Sequence, residues 1–176
     1  MLKKKSKYVM AILGATGAVG KETLDILEER NFPLESLRLF AAKRSAGGTL
    51  SCQGKEWTIE ELTPETSFAG VDFALISATD AISRDYGRRL GAAGVIVIDD
   101  SGVFRMEPDV PLVVPEVNAQ ALKAMPRGIV SIPNCTTTPL VMALKPLLDA
   151  AGVKRVVVTT FQSVSGTGAA AMDELM

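Results

Sequence analysis

Short runs of apolar and β-branched residues alternate along the chain with longer segments of helical period. The runs predict strands at residues 8–13, 37–41, 71–77, 95–99, 128–132 and 155–161. Several runs, notably those at 71–77 and 94–99, are almost continuously apolar, as expected of strands that helices cover on both faces. The alternation is typical of βαβ units, so the sequence predicts an α/β fold with a doubly wound, mostly parallel, Rossmann-like sheet.

Three segments between the strands have helical character: 18–30, 80–93 and 136–151. Pro146 predicts a bend in the last of them, or a break into two helices, because proline lacks the backbone donor that a helix interior needs. Residues 48–62 place Gly54 between two β-rich arms, which predicts a small antiparallel hairpin inserted after the second strand. A final helix begins near 169 without a terminator, so we expect a second domain that is truncated in this chain.

The composition is typical of a globular protein with one well-formed core. The chain has 176 residues, of which 47% are hydrophobic and 22% charged, with a net charge of −1. We expect no nucleic-acid partner, because no basic footprint is present, and no membrane partner, because no apolar run approaches roughly 20 residues. The basic segment 1–7 lacks the features of a signal peptide, which predicts a cytoplasmic protein. Two separated cysteines and no histidine predict neither a disulfide framework nor a metal site.

The loop after the first predicted strand is rich in glycine, with Gly14, Gly17 and Gly20 leading into a helix. Such glycines let the backbone approach a pyrophosphate, which the helix N-terminus then holds with its amide groups and dipole. The strand before the loop and the helix after it favour dinucleotide binding. The alternative is an ordinary tight turn.

The residues after the second predicted strand bear on the choice of cofactor. An acidic residue there holds the ribose 2′-hydroxyl of NAD, but this chain has Lys43, Arg44 and Ser45. Two cations and a hydroxyl suit a 2′-phosphate, which favours NADP over NAD. The alternative is a solvated basic loop. Ser77 ends another strand at the carboxyl edge of the sheet, where cofactors bind in this architecture.

Cys135 follows the strand 128–132 and precedes a helical segment, which places it at the same edge. The dipole of a helix N-terminus stabilises a thiolate, which favours a nucleophile. From local sequence alone a small buried apolar residue is an equal alternative. Cys52 lies within the predicted hairpin with no turn or helix start beside it, and we interpret it as structural.

Two further polar residues follow predicted strands. Gln162 closes the strand 155–161, and glycines 166 and 168 follow it in a loop. A neutral amide there can orient a carbonyl or a carboxylate without adding charge, although an ordinary polar strand end is the alternative. Arg105 follows the strand 95–99 and could bind phosphate or carboxylate as a fork, or else be a surface charge.

Taken in order, motifs along nearly the whole chain resemble the N-terminal half of the aspartate-semialdehyde dehydrogenase family. The matching segments are GATGAVG (14–20), KRSAG (43–47), SGVFRM (101–106), VPLVVPEVNAQAL (110–122), PNCTT (133–137) and TTFQSVSGTG (159–168). The resemblance implies an enzyme of lysine, threonine and methionine biosynthesis that works as a homodimer. In this family a doubly wound NADP-binding domain carries the nucleophilic cysteine, and a second half supplies most of the substrate site.

The resemblance also assigns roles to individual residues. Cys135 would be the nucleophile, Gln162 would position the substrate, and Arg105 would bind phosphate or the acyl phosphate. The residues that would contact NADP are Gly14, Thr16, Gly17, Ala18, Val19, Arg44, Ser45, Ser165 and Gly166, with Ser77 added from its position. Residues 1–134 would form the NADP-binding domain and 135–176 the start of the catalytic domain.

The implied reaction interconverts aspartyl phosphate and aspartate semialdehyde through a thioester on Cys135. Two departures from the family pattern bear on it. Asp100 stands where the family usually has asparagine, and it adds a carboxylate near Arg105. The general base of the family is a histidine in the second half, and this chain has none, so we expect it to be inactive alone. The alternatives are an N-acetyl-glutamyl-phosphate reductase and a non-catalytic NADP-binding module.

Overall fold

A computed structural model describes residues 4–176, without the side chains of Ala169 and Ala170. Its strands are β1 (Tyr8–Leu13), β2 (Leu34–Ala41), β3 (Thr49–Cys52), β4 (Lys55–Glu61), β5 (Phe73–Ile76), β6 (Ile96–Asp99) and β7 (Ile129–Ser131). Its α-helices are α1 (Ala18–Glu29), α2 (Asp80–Ala92), α3 (Pro115–Asn118), α4 (Thr137–Ala151) and α5 (Ala169–Leu175). None of the helices in this range has the length and apolar character needed to cross a membrane.

The strands form a seven-stranded sheet in the order β3-β4-β2-β1-β5-β6-β7. Every neighbouring pair is parallel except β3 and β4, so the predicted doubly wound, mostly parallel sheet is confirmed. The predicted hairpin is confirmed as β3 and β4, which turn at Gln53 and Gly54, both with positive φ as a two-residue hairpin turn requires. Because β4 also pairs with β2, the hairpin extends the main sheet.

Alternate residues of β1 point to opposite faces of the sheet, and each face is covered by a helix. Met10 and Ile12 belong to the apolar cluster that includes Leu24 and Leu27 of α1. Ala11 and Leu13 belong to the cluster that includes Tyr86 and Leu90 of α2. Both faces of the sheet are therefore covered by apolar side chains, which explains why the sequences of the central strands are continuous apolar runs.

The strand predicted at 155–161 is wrong. These residues form no strand and are exposed, with Phe161 95% and Val157 79% accessible. The outer edge of β7 is taken by residues 111–113, since Ser131 N–H donates to Pro111 O and Val113 N–H donates to Ser131 O, both at 2.9 Å. The β-branched run therefore has no partner at that edge of the sheet.

Helix α4 continues through Pro146 as a single helix, so a break into two pieces is wrong. Pro146 is exposed, and its ring can face solvent. The residues of α4 are all exposed or half-buried, with Leu147 58% and Leu148 52% accessible. The helix therefore covers the sheet much less than α1 and α2 do.

Candidate functional site

Most of the predicted site residues follow strands at the carboxyl edge of the sheet. The loops that meet there follow β1 (14–17), β2 (43–45), β5 (Ser77), β6 (100–105) and β7 (132–136). Backbone bonds join their starting points: Ser77 N–H donates to Leu13 O, Asp100 N–H to Ile76 O, and Ile132 N–H to Asp99 O, at 2.9 to 3.0 Å. The sheet thus brings residues that are far apart in sequence to one edge.

Gly14 and Ser77, which follow strands β1 and β5, approach each other closely at this edge. Gly14 has a φ of +95°, and a Cβ atom there would lie 2.0 Å from the Ser77 carbonyl oxygen. Chain connections leave β1 for β2 on one side and continue from β5 on the other, so this contact marks the topological switch point. Dinucleotides bind at such points in open α/β sheets.

The start of α1 offers backbone amides to a ligand. Gly17 is the N-cap and provides no side-chain cap, and the first helical bond runs from Lys21 N–H to Gly17 O at 3.0 Å. Gly17, Ala18 and Val19 are exposed, and Thr16 is half-buried. The amides before Lys21 have no partner within the helix, so this end fits the pyrophosphate of a dinucleotide. Gly20 permits the tight turn, because a Cβ there would lie 2.4 Å from Gly14 O.

The turn after β2 presents its cations to solvent. Residues Lys43–Ser45 form one 3-10 turn in which Lys43 and Arg44 are exposed and Ser45 is half-buried. Neither cation takes part in an ion pair within residues 4–176. Both are available to an anionic group at this edge.

The two cysteines have opposite environments. Cys135 is exposed and lies two residues before α4. Cys52 is fully buried, and its Sγ lies 3.5 Å from Leu24 O. Burial raises the pKa of the Cys52 thiol, and the nearby Glu28 and Asp25 raise it further. Of the two thiols, only Cys135 is open to a substrate.

Asn134 shapes the loop that carries Cys135. Its Oδ1 accepts hydrogen bonds from Thr136 N–H at 3.0 Å and Thr136 Oγ1 at 2.6 Å, and its backbone oxygen accepts from Thr137 N–H at 2.9 Å. Asparagine after proline is typical of a turn closed by its own side chain, and these bonds close such a turn beside Cys135.

Arg105 connects the β6 loop to the cysteine loop. Its Nε donates to Ile132 O and its Nη2 donates to Asp100 O, both at 2.9 Å. The side chain is half-buried and takes part in no ion pair within the described residues. A guanidinium has five N–H donors, so others remain for a ligand after these two bonds. A simple surface charge does not describe this arrangement.

Asp100 contacts both Ser77 and Arg105 at the carboxyl edge of the sheet. Its Oδ2 accepts a hydrogen bond from Ser77 Oγ at 3.1 Å. Burial raises the pKa of the Asp100 carboxyl above its usual value; the Ser77 bond and the Arg105 charge oppose this, and Asp99 adds to it. Asp99 is itself fully buried, with Oδ2 bonded to Ser101 and Oδ1 without a partner in the described structure.

Gln162, Ser165 and Gly166 are not joined to the edge by any hydrogen bond within residues 4–176. Gln162 and Gly166 are exposed and Ser165 is half-buried. Their contacts are local: Ser165 Oγ lies 3.0 Å from Ser163 Oγ, and a Cβ at Gly166 would lie 3.0 Å from Gln162 Nε2. They follow the exposed residues 155–161, where the predicted strand does not form.

Comparison with known proteins gives a consistent result along the chain. A family model described as "Semialdehyde dehydrogenase, NAD binding domain" matches residues 9–125, and "Semialdehyde dehydrogenase, dimerisation domain" matches residues 144–176. The chain is 52% identical to the aspartate-semialdehyde dehydrogenase of Aquifex aeolicus over 96% of its length, and 46% identical to that of Bacillus subtilis over 94%. It spans about half the length of these relatives, 50% and 47% respectively.

Solved structures agree with this. Aspartate semialdehyde dehydrogenase II from Vibrio cholerae superposes with a TM-score of 0.90 and 45% identity, over 96% of this chain and 50% of that one. Aspartate semialdehyde dehydrogenase with NADP from Candida albicans superposes with a TM-score of 0.68 and 29% identity, over 84% of this chain and 48% of that one.

Proposed function

The chain belongs to the aspartate-semialdehyde dehydrogenase family, and from this premise we propose that it forms part of an NADP-dependent phosphorylating aldehyde dehydrogenase. The enzyme interconverts aspartyl phosphate and aspartate semialdehyde in amino-acid biosynthesis. The observation that carries the proposal is the exposed Cys135 in a loop that Arg105 ties to the strand edge bearing the glycine loop. A nucleophile and a dinucleotide site at one edge are what this reaction needs.

The cofactor site is assigned to residues of the carboxyl edge. Gly14, Thr16, Gly17, Ala18 and Val19 bind the pyrophosphate through the turn and the start of α1, with Ser77 beside them. Arg44 and Ser45 bind the 2′-phosphate, since no acidic residue stands in the turn Lys43–Ser45 to hold a 2′-hydroxyl. The solved relative from Candida albicans is named with NADP, which supports this choice. When bound, the nicotinamide supplies the hydride acceptor or donor.

Cys135 performs the covalent step. In the oxidative direction its thiolate attacks the aldehyde carbon, and as the C–S bond forms the carbonyl oxygen becomes an oxyanion, which takes a proton to give a hemithioacetal. With a nicotinamide bound to accept the hydride, loss of that proton to a base would leave a thioester on Cys135. A phosphate oxygen then attacks the thioester carbon, and the C–S bond breaks to release aspartyl phosphate and the thiolate. The biosynthetic direction reverses these steps.

The other site residues bind and orient the substrate. Arg105 binds phosphate or the acyl phosphate with the donors that its two backbone bonds leave free. Gln162 positions the substrate beside Cys135, and Ser165 and Gly166 contact the cofactor. These three residues need the exposed segment 152–168 to be placed by further contacts, which a second domain provides.

The base and the dimer contacts are assigned to a second half of the protein. The resemblance to the family implies that a histidine of the second half takes the proton; the 176 residues contain no histidine, so we infer that the chain alone is inactive. We place the NADP-binding domain at 1–134 and the start of the catalytic domain at 135–176. The apolar side chains exposed on α4 and after it, including Leu147 and Val157, support packing against that half in a cytoplasmic homodimer.

The test uses the protein expressed from the complete reading frame. Phosphate-dependent reduction of NADP by aspartate semialdehyde is measured for the wild type, Cys135→Ala and Cys52→Ala. We expect Cys135→Ala to lose at least about 1,000-fold in kcat and Cys52→Ala to keep activity, because only one thiol is the nucleophile. Activity in Cys135→Ala would contradict the mechanism. Greater activity with N-acetylglutamyl phosphate, or NADP binding without turnover, would favour the two alternative functions.

A further inference from the structure

Arg105 is held in one position by the backbone of two loops. Its Nε and Nη2 donate to the carbonyl oxygens of Ile132 and Asp100. Both acceptors are backbone carbonyl groups, whose positions the loops fix. A change of the Arg105 rotamer toward an anion would therefore break these two hydrogen bonds. The affinity of an anion at Arg105 therefore depends on the charges that already surround this fixed cation.

The Asp100 carboxylate is a nearby negative charge that, like Asp99, forms no ion pair within residues 4–176. Its one described hydrogen bond comes from the neutral Ser77 hydroxyl, at 3.1 Å. It forms no ion pair with Arg105, although the two groups interact electrostatically and Arg105 donates to the Asp100 backbone oxygen. The other charge acting on it is the buried Asp99, which precedes it in the chain. A half-buried carboxylate in this place reduces the positive potential that Arg105 presents.

We propose that Asp100 sets the anion affinity of the Arg105 subsite, so that neutralising its carboxylate strengthens the binding of phosphate or an acyl phosphate. The inference rests on the proposed function, in which Arg105 binds that anion. In this scheme Asp100 acts on the bound anion through the potential at Arg105.

The sign of the pH dependence follows from the ionisation of Asp100. Burial raises the pKa of its carboxyl, so the neutral form persists to higher pH than in an ordinary aspartate. Anion affinity therefore increases as the pH falls through that pKa. By linkage, a bound anion must raise the pKa of Asp100 in return.

The experiment measures sulfate binding to the protein from the complete reading frame, in the absence of substrate. Sulfate keeps its double charge across this pH range, whereas phosphate titrates. Binding is followed by the NMR shift of the Arg105 Nε–H group for the wild type, Asp100→Asn and Glu107→Gln. The control removes one negative charge from the same loop, where Glu107 pairs with Arg88 at 3.2 Å.

We expect Asp100→Asn to bind sulfate about three- to tenfold more tightly than the wild type near neutral pH, as for one removed charge near a protein surface. The wild type should approach the variant as the pH falls, and Glu107→Gln should follow the wild type. Equal affinities of Asp100→Asn and the wild type at every pH would overturn the inference, as would weaker binding by the variant.

A second measurement needs no variant. The pKa of the Asp100 carboxyl is followed by carbon NMR in the wild type with and without saturating sulfate. An increase supports the inference, and an unchanged pKa overturns it. Absence of sulfate at Arg105 would overturn both the inference and the phosphate-binding role. If sulfate binding raised the pKa of Asp100 but the protein showed no turnover, the inference would be supported and the proposed function would be contradicted.

Discussion

Gly14 has no room for a side chain at the edge of the sheet. It combines a φ of +95° with an approach in which an added Cβ would lie 2.0 Å from Ser77 O. We expect Gly14→Ala to lower the free energy of unfolding by about 3 kcal/mol or more, because backbone strain and a clash with backbone add together. The measurement is urea unfolding.

Gly54→Ala is the matched control for this prediction. Gly54 also has a positive φ, of +68°, but nothing lies within 4 Å of the added carbon. Only the strain of the turn remains, so we expect a loss of about 1 kcal/mol. Similar losses in the two variants would show that the contact between Gly14 and Ser77 is not tight.

The two thiols provide a second residue-scale prediction. Cys135 is exposed, whereas Cys52 is fully buried and has a raised pKa. We expect iodoacetamide at neutral pH to label Cys135 at least about ten times faster than Cys52, because Cys52 reacts only when the fold opens. Peptide mass spectrometry over time measures both rates, and labelling in urea should bring them together. Equal rates in the folded protein would contradict the prediction.

The sequence predicts where residues lie at the edge better than it predicts what they contact. Gly14, Ser77 and Arg105 can be placed because each follows a strand of a parallel sheet. The bond from Arg105 to Ile132 O joins residues 27 apart, and no local pattern encodes it. Local chemistry made Gln162 and Arg105 candidates but left an ordinary alternative for each, and the family motifs assigned their roles, which stay predictions.

At the scale of elements, an ion pair fixes the start of β1 to β5. Asp72 accepts hydrogen bonds from Val9 N–H at 3.0 Å and from Lys5 Nζ at 2.5 Å. Burial alone raises the pKa of the Asp72 carboxyl, but the bonds from Lys5 and Val9 and the Lys5 charge together lower it below the usual value. Because the pKa of Asp72 is lowered in the folded protein, its ionised carboxylate stabilises the fold at pH values above the ordinary aspartate pKa.

We therefore expect stability to fall with acid partly through Asp72, starting as the pH drops toward about 4 and continuing through its lower folded pKa. Asp72→Asn should be less stable than the wild type at neutral pH, and the difference should shrink as the pH falls. Urea unfolding between about pH 7 and pH 3 measures both. A constant difference across this range would exclude the role of the Asp72 charge.

The strand predicted at 155–161 shows why periodicity sometimes fails. Val156, Val157 and Val158 have high β propensity, but propensity measures fit to a paired, half-buried surface. Residues 111–113 already pair with β7 at this edge. Neither of the two paired segments has a sequence pattern that predicts this pairing. The central strands were predicted well because both of their faces are buried, which leaves a continuous apolar run in the sequence.

At the scale of the whole molecule, the stability of the described chain resides in the sheet and its two covering helices. Both apolar clusters consist of residues before Val130, and no residue of 154–168 or 171–176 is buried. We expect a chain that ends at Val153 to differ from the 176-residue chain by less than about 1 kcal/mol in the free energy of unfolding, since exposed residues contribute little.

Leu90→Ala in the 176-residue chain tests the sensitivity of this comparison. Leu90 is 1% exposed and lies in the cluster under α2, so its truncation should cost about 2 to 5 kcal/mol. Urea unfolding of the three proteins, followed by circular dichroism, gives the ranking. If the shortened chain were as unstable as Leu90→Ala, residues 154–176 would have to contact the sheet in solution. A small effect would mean that the carboxyl edge of the sheet is stable without residues 154–176, so the glycine loop and the Cys135 loop keep their positions whether or not Gln162 and Ser165 are present.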